Sequence, residues 1–153
     1  MGHTTSFRFG GMVRGVVLML LSVIVAAGCE GTLTKRKLNA DDYKLAVEAF
    51  NDGIRWRDYH QSMSYVAPQQ MDAFWKQADA IQERIRVYDY QIQKLDWNQQ
   101  TRSAVVLLRY RFYHANDPSI YTKDLHQKWI YDDQQGNWRV TQTGLHVLLE
   151  LGF

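Results

Sequence analysis

Between residues 84 and 143 the apolar positions recur every second residue; before residue 83 they recur every third or fourth. The first period belongs to strands and the second to helices. Ala104, Val106, Leu108, Tyr110 and Phe112 share one phase, while Arg109, Arg111 and Tyr113 close the other. β-Branched and aromatic residues dominate this run, as in strands. Asn116, Asp117 and Pro118 then bring turn residues together, which is expected to end the strand before a second run over residues 120–131. Tyr121, Leu125, Trp129 and Tyr131 share a phase there, opposite Asp124, His126, Lys128 and Ile130. After a polar loop with Gly136, the alternation resumes at Trp138 and Val140. Upstream, Ile85 and Val87 alternate with Arg86 and Tyr88, and the phase slips at residues 89–91. That slip predicts a bulge near Asp89 in a long, curved strand over 84–97, with Ile92 kept buried.

Ahead of the sheet, Asn39, Asp41 and Asp42 offer a capped start to a helix whose stripe is Tyr43, Val47, Phe50 and Ile54. Lys44, Glu48, Asn51 and Arg55 fall elsewhere on its wheel, and Gly53 weakens it. Trp56 and Tyr59 suggest that the helix runs on to pack its end. Pro68 suits the first turn of a further helix, whose stripe is Met71, Phe74, Trp75 and Ala78. Such stripes make a core. The apolar tail at residues 145–153 is expected to complete that core as a last strand or short helix, or else to dock a partner.

The predicted order is helix, short helix, helix, then four antiparallel strands, an α+β architecture with helices packed on a strongly curved sheet. It resembles the nuclear transport factor two-like superfamily, the cystatin-like cone shared with ketosteroid isomerases. Carrying the resemblance are Phe50-Asn-Asp-Gly-Ile-Arg-Trp-Arg-Asp-Tyr59, then Tyr65-Val-Ala-Pro68, and Lys128-Trp-Ile-Tyr-Asp-Asp-Gln-Gln-Gly-Asn-Trp-Arg-Val140. More narrowly, the chain is similar to small uncharacterised bacterial lipoproteins with such a domain. The resemblance implies a mouth between helices and bent sheet where an apolar small ligand would sit.

The N-terminus changes the setting. Arg8 and Arg14 precede an apolar run over residues 16–27, shorter than the ~20 residues of a spanning helix. Ala26, Ala27 and Gly28 then lead to Cys29, the single cysteine. This resembles a bacterial lipoprotein signal, in which the cysteine becomes the lipidated N-terminus; Ala26 stands where that motif prefers Leu. The alternative is a plain signal peptide or uncleaved anchor with Cys29 incidental. The resemblance implies three segments: a signal over residues 1–28, a lipidated N-terminus and tether over 29–40, and the domain over 41–153. Glu30, rather than Asp, after the cysteine implies outer-membrane placement facing the periplasm. With one cysteine, no internal disulfide can form.

Cleavage would remove two arginines and no acid, leaving 16 basic and 16 acidic residues. The chain's pI of about 8.7 is therefore no argument for nucleic acid. Within the domain, cations concentrate in the sheet half and acids in the first helix, so a basic sheet surface facing an acidic partner, lipid or glycan is one expectation. Val105 and Leu107 lie opposite Val106 and Leu108, and a homodimer packed sheet to sheet would cover them.

An enzyme needs a poised acid or base inside the cone. Asp89, Asp124 and His126 are the candidates, with Tyr88, Tyr90 or Tyr110 as donors to an oxyanion. Asp89 at the expected bulge is the one to test; Asp124 and His126 fall in a solvated phase. His60, His114, His126 and His146 lack metal-ligand spacing, and no Gly-rich phosphate loop or nucleophile elbow occurs, so neither metal nor cofactor is expected. The reading is a membrane-anchored periplasmic lipoprotein acting as a non-catalytic module for binding or assembly, with a periplasmic protein or apolar small ligand as partner. The alternative is a small-molecule enzyme of isomerase or dehydratase type using the cone.

Overall fold

Asn39 starts the fold, its side chain accepting the Asp41 backbone N–H at 3.1 Å. The computed structural model describes Gly2 and residues 38–150. The signal motif at Ala26, Ala27, Gly28 and Cys29, most of the tether, and residues 151–153 lie outside the described residues. Helix α1 (Ala40–Trp56) buries Tyr43, Val47, Phe50 and Ile54 as the spacing predicts, and Asn51 and Gly53 besides. Asp41 and Asp42 in its first turn complement the helix dipole.

The helix stops where a longer one was expected. Arg57 turns left-handed at φ 64°, and a separate short helix, α2 (Tyr59–Met63), follows, capped by Asp58. Tyr59 is buried on α2, whereas Trp56 is 70% exposed with the Arg55 guanidinium 4.7 Å from its ring centroid. Pro68 opens a single 3₁₀ turn, Pro68–Gln70, ahead of α3 (Met71–Arg84). Phe74 and Ala78 are buried from α3, while Met71 and Trp75 pack at its margin. Among the described residues no helix is long and apolar enough to cross a membrane.

Four strands follow in the order β1 (Ile85–Asn98), β2 (Ser103–His114), β3 (Asp117–Asp132) and β4 (Asn137–Gln142), each antiparallel to the next. The expected bulge is present between Val87 and Asp89, and a second register shift lies between Ile92 and Lys94. Each extra residue bends the strand and increases its twist. Ile92 is half-buried rather than fully so. The turn residues at 114–119 do not end the pairing as expected. A two-residue connection, Ala115 and Asn116, lets β3 begin at Asp117 and carry Pro118 inside the strand. β4 reaches only Lys128–Asp132 of β3, so the other edge is open at Pro118 and its missing N–H breaks no ladder there. Asp117 meanwhile accepts the Ser119 N–H (2.9 Å) and the Tyr121 hydroxyl (2.6 Å).

The inner sheet face meets the helices. Ala104, Val106, Leu108, Tyr110 and Phe112 of β2, Leu125 and Trp129 of β3, and Trp138 and Val140 of β4 are all buried there. Phe50 stands edge-on to Trp129 at 5.7 Å, and Tyr43 lies 4.8 Å from Trp138. The segment before α3 closes against β4: the Val140 N–H donates to the Tyr65 carbonyl (2.8 Å), and the Ala67 N–H to the Val140 carbonyl (2.9 Å).

The tail forms a 3₁₀ turn, Leu145–Leu149, entered through Gly144 at φ 70°. A side chain at Gly144 would sit 2.6 Å from the His126 carbonyl oxygen. Leu145 and Leu148 are fully buried, which supports a packing role for this stretch. Removing residues 148–153 is expected to cost about 2 kcal/mol, mostly the Leu148 side chain, and to lower the melting temperature by several degrees. An unchanged thermal melt followed by circular dichroism would instead favour docking by the tail.

Candidate functional site

The inner face carries two amides at positions where a core offers none by chance. Asn51 of α1 and Gln127 of β3 are both fully buried. Gln127 shares the phase of Leu125 and Trp129, and Asn51 lies one helical turn beyond Val47, so each backbone aims its side chain at the sheet–helix interior. The two amides bond reciprocally. Gln127 Nε2 donates to Asn51 Oδ1 at 2.9 Å, and Asn51 Nδ2 donates to Gln127 Oε1 at 3.3 Å. Asn51 Nδ2 also donates to the Val47 carbonyl at 2.7 Å, and the Tyr110 hydroxyl donates to Asn51 Oδ1. Trp129 Nε1 completes the cluster, donating to Gln127 Oε1 at 3.3 Å. Asn51 thereby uses both its donors and both its acceptor positions.

A second layer lies outside it. The Tyr90 ring of β1 stacks on Tyr110 with centroids 5.8 Å apart. Its hydroxyl donates to Asp52 Oδ1 (2.9 Å) and to the Glu48 carbonyl (3.2 Å), tying β1 to α1. Over this lid lies a groove of about 410 Å³ bounded by Lys44, Glu48, Asp52, Arg55, Tyr90 and Ile92. Its two acids and two cations balance, with Lys44 Nζ 3.7 Å from Glu48.

Burial drives the tyrosine ionisations up. Tyr43, Tyr90 and Tyr110 are all raised above the ordinary 10.0, first because burial disfavours the phenolate. For Tyr90 the hydrogen bond to Asp52 adds to this. A raised folded-state pKa gives stability that is complete below the unfolded pKa and is lost as pH rises. The urea midpoint is therefore expected to hold steady from about pH 7 to 9 and to fall above about pH 10. A flat profile through pH 11 would mean that solvent reaches these rings.

The candidate acid and base residues lie elsewhere. Asp89 follows the first bulge and pairs with Arg111 on the outer face, Arg111 Nε donating to Asp89 Oδ1 at 2.7 Å and Nη2 to Oδ2. That hydrogen bonding holds the Asp89 carboxyl below its ordinary 3.8, a weaker base and not a poised one. Asp124 takes the same fork from Arg109 (2.8 and 3.0 Å), is likewise lowered, and is exposed on the outer face with His126. Tyr88 is exposed beneath the Arg111 guanidinium, 5.1 Å from its ring centroid. Of the expected oxyanion donors, only Tyr90 and Tyr110 face inward. Three ion pairs on the outer face, Arg111–Asp89, Arg109–Asp124 and Lys94–Asp96, offset part of its positive charge. Among the described residues no three His, Cys, Asp or Glu side chains gather to hold a metal.

What the interior can do follows from its chemistry. Every functional group in the cluster is neutral, and its four hydrogen bonds leave Asn51 no free valence for a ligand. Trp129, Tyr110, Phe50, Phe74 and Phe112 fill the remaining space at the centre.

The same arrangement of helices on a four-stranded antiparallel sheet occurs in solved structures of low sequence identity. A putative isomerase from Rhodopseudomonas palustris matches with a TM-score of 0.50 at 12% identity, over 72% of this chain and 96% of that one. A protein of unknown function with a cystatin-like fold from Methylobium petroleophilum matches at 0.48 and 11% identity, over 70% and 79%. An LEH-like epoxide hydrolase of M. tuberculosis matches at 0.48 and 12%, over 65% and 76%. The observed fold is the expected architecture, α+β with N-terminal helices packed on a four-stranded antiparallel sheet, and the Asn51–Gln127 cluster lies at its centre. Identities this low carry the fold alone. No family model and no curated protein matches the chain.

Sequence reasoning placed Asn51 on the polar side of its helix and passed over Gln127. The signal for both was available in the phase: Gln127 alternates with Leu125 and Trp129, and Asn51 falls four residues after Val47. Polarity had outweighed position.

Proposed function

We propose that the protein is a non-catalytic binding or assembly module, held at the bacterial envelope by lipid on Cys29 and facing the periplasm. The observation that carries this reading is the filled cone. A substrate would have to displace Tyr90 from Tyr110 and break a satisfied amide network to reach the centre. Binding then belongs to the surface. Support for the anchor comes from the sequence: two arginines, an apolar run too short to span, and a single cysteine after Ala26, Ala27 and Gly28.

The outer sheet face is the surface to cover, and a second copy fits it. Val105 (41% exposed) stands on β2 between the half-buried Leu107 and Ser103, the partner of Ile130 (40% exposed) on β3. Asp89, Asp96 and Asp124 alternate there with Lys94, Arg109, Arg111 and Lys128, a mixture that a two-fold axis makes self-complementary. Light scattering should give the mass of a dimer, and Val105→Glu should return it to monomer. A monomer at high concentration would remove the second copy from the proposal.

The anchored module is tested by native mass spectrometry of the protein extracted from its own membrane. A lipid-sized increment on Cys29 and a co-purifying periplasmic protein are expected. An unlipidated chain, or one that turns over a retained small molecule, would overturn the reading.

A further inference from the structure

The arginines of the fold are not used alike. Arg102, Arg109 and Arg111 each face a carboxylate. Arg55, Arg57 and Arg86 have none within 4.0 Å among the described residues. Two of the three converge where α1 ends beside the last turn of α3. Arg57 Nη2 and Arg86 Nη1 donate to the same oxygen, the Gln82 carbonyl, at 3.3 and 2.8 Å. Two full positive charges are thus held within hydrogen-bond reach of one atom. A helix-terminal carbonyl carries only part of a charge, so the pair keeps its mutual repulsion and most of its N–H donors. Nearby acids are engaged elsewhere: Asp58 accepts the Gln61 N–H at the start of α2, and Asp89 is held in the Arg111 fork. Glu83 is exposed, and among the described residues no ion pair joins it to either arginine.

Between Arg55 and Arg57 stands Trp56, at 70% the most exposed large apolar side chain among the described residues. The Arg55 guanidinium lies over its ring. An indole is apolar across its body and polar at one edge, which suits the headgroup layer of a bilayer. Guanidinium groups without carboxylates suit the phosphates of that layer. The tether makes the contact reachable. The ten residues from Cys29 to Leu38 span about 35 Å at full extension, and the 17 residues of α1 rise about 25 Å. A chain fixed to lipid at Cys29 can therefore set the far end of α1 on the same bilayer.

We infer that the α1–α2 corner docks on the lipid surface itself, with the Trp56 indole entering the headgroup layer and Arg57 and Arg86 clamping a lipid phosphate between them. The inference rests on the anchored reading above, to which it adds the face that the domain turns to the membrane.

The test uses the chain from Cys29 onward. The buried core described here lies between Leu38 and Leu148, and Arg36–Phe153 forms a compact unit, so this chain carries the whole fold. Its single cysteine is coupled to a maleimide lipid in vesicles of equimolar phosphatidylethanolamine and phosphatidylglycerol with brominated acyl chains. That supplies the anchor whether or not the native chain is lipidated. Bromine in the bilayer is expected to quench the emission that Trp56→Phe removes, and to leave the emission of that variant unchanged. Arg57→Gln and Arg86→Gln should each weaken docking about fivefold. Inorganic phosphate should release the corner no better than chloride at equal ionic strength. Stronger release by phosphate would make the arginine pair a site for a free anion, and an unquenched Trp56 would take the corner off the bilayer; either result overturns the inference. The anchored reading would survive both, because it depends on the lipid increment at Cys29 of the native chain.

Discussion

Replacing Gln127 with leucine is expected to lower the stability of the fold by about 3 kcal/mol, and its melting temperature by about 10 °C or more. Leucine nearly matches the volume, so little of this loss comes from packing. It comes from what the substitution leaves behind: one donor and one acceptor position of Asn51, and the indole N–H of Trp129, all in a dry interior. Each stranded group costs about 1 to 3 kcal/mol. The companion variant Asn51→Leu/Tyr110→Phe/Gln127→Leu removes the stranded Asn51 groups while leaving the Trp129 N–H without its acceptor, and should recover part of the loss. Urea unfolding of both variants decides the matter. A loss below about 1 kcal/mol for Gln127→Leu would show that water enters the centre of the cone, and would reopen it as a ligand site.

Gly53→Ala is expected to destabilise by about 2 kcal/mol, although helix propensity alone favours alanine by up to about 1 kcal/mol. The reason is the approach of α2. A Cβ at Gly53 would meet the Ser62 hydroxyl and lie 2.8 Å from the Asp58 carbonyl oxygen and 3.0 Å from the Ser62 nitrogen. The Ser62 hydroxyl is itself engaged, donating to the Phe50 carbonyl at 2.8 Å. Two of the three obstructing atoms are backbone, so Gly53→Ala/Ser62→Ala should recover only part of the loss. A stabilised Gly53→Ala variant, measured by urea midpoint, would mean that α2 yields easily and that Gly53 serves no contact.

These two positions also show where sequence was legible and where it was not. The strand phases of Ala104 to Phe112, the stripe of α1 and the bulge before Asp89 follow from periodicity, because a half-buried element cannot hide which side is apolar. Gly53 read as a weak helix residue because its value lies in neighbours five and nine residues on, Asp58 and Ser62, folded back against it. Asn51 and Gln127 were legible by phase but not by type, since each is buried only by virtue of the other. Asp89 was correctly set beside a bulge, yet the face on which a bulge leaves its neighbours depends on one residue of register. That one residue put it with Arg111 outside the cone. Pro118 misled for a related reason: a proline ends a ladder only where a ladder exists on its N–H side, and no sequence pattern reports which side is open.

The two register shifts in β1 have a consequence for crowding. An outermost strand of 14 residues, if regular, would be a template on which another chain could add itself. Here the shifts at Val87/Asp89 and Ile92/Lys94 divide its unpaired rim into short, misaligned stretches. Pro118 interrupts the open side of β3, and the Tyr65 and Ala67 backbone occupies that of β4. Each free margin of the sheet is thus spoiled by a different device. Recruitment by strand addition, and the amyloid-like stacking that grows from it, are both disfavoured at protein densities where an unguarded sheet would polymerise.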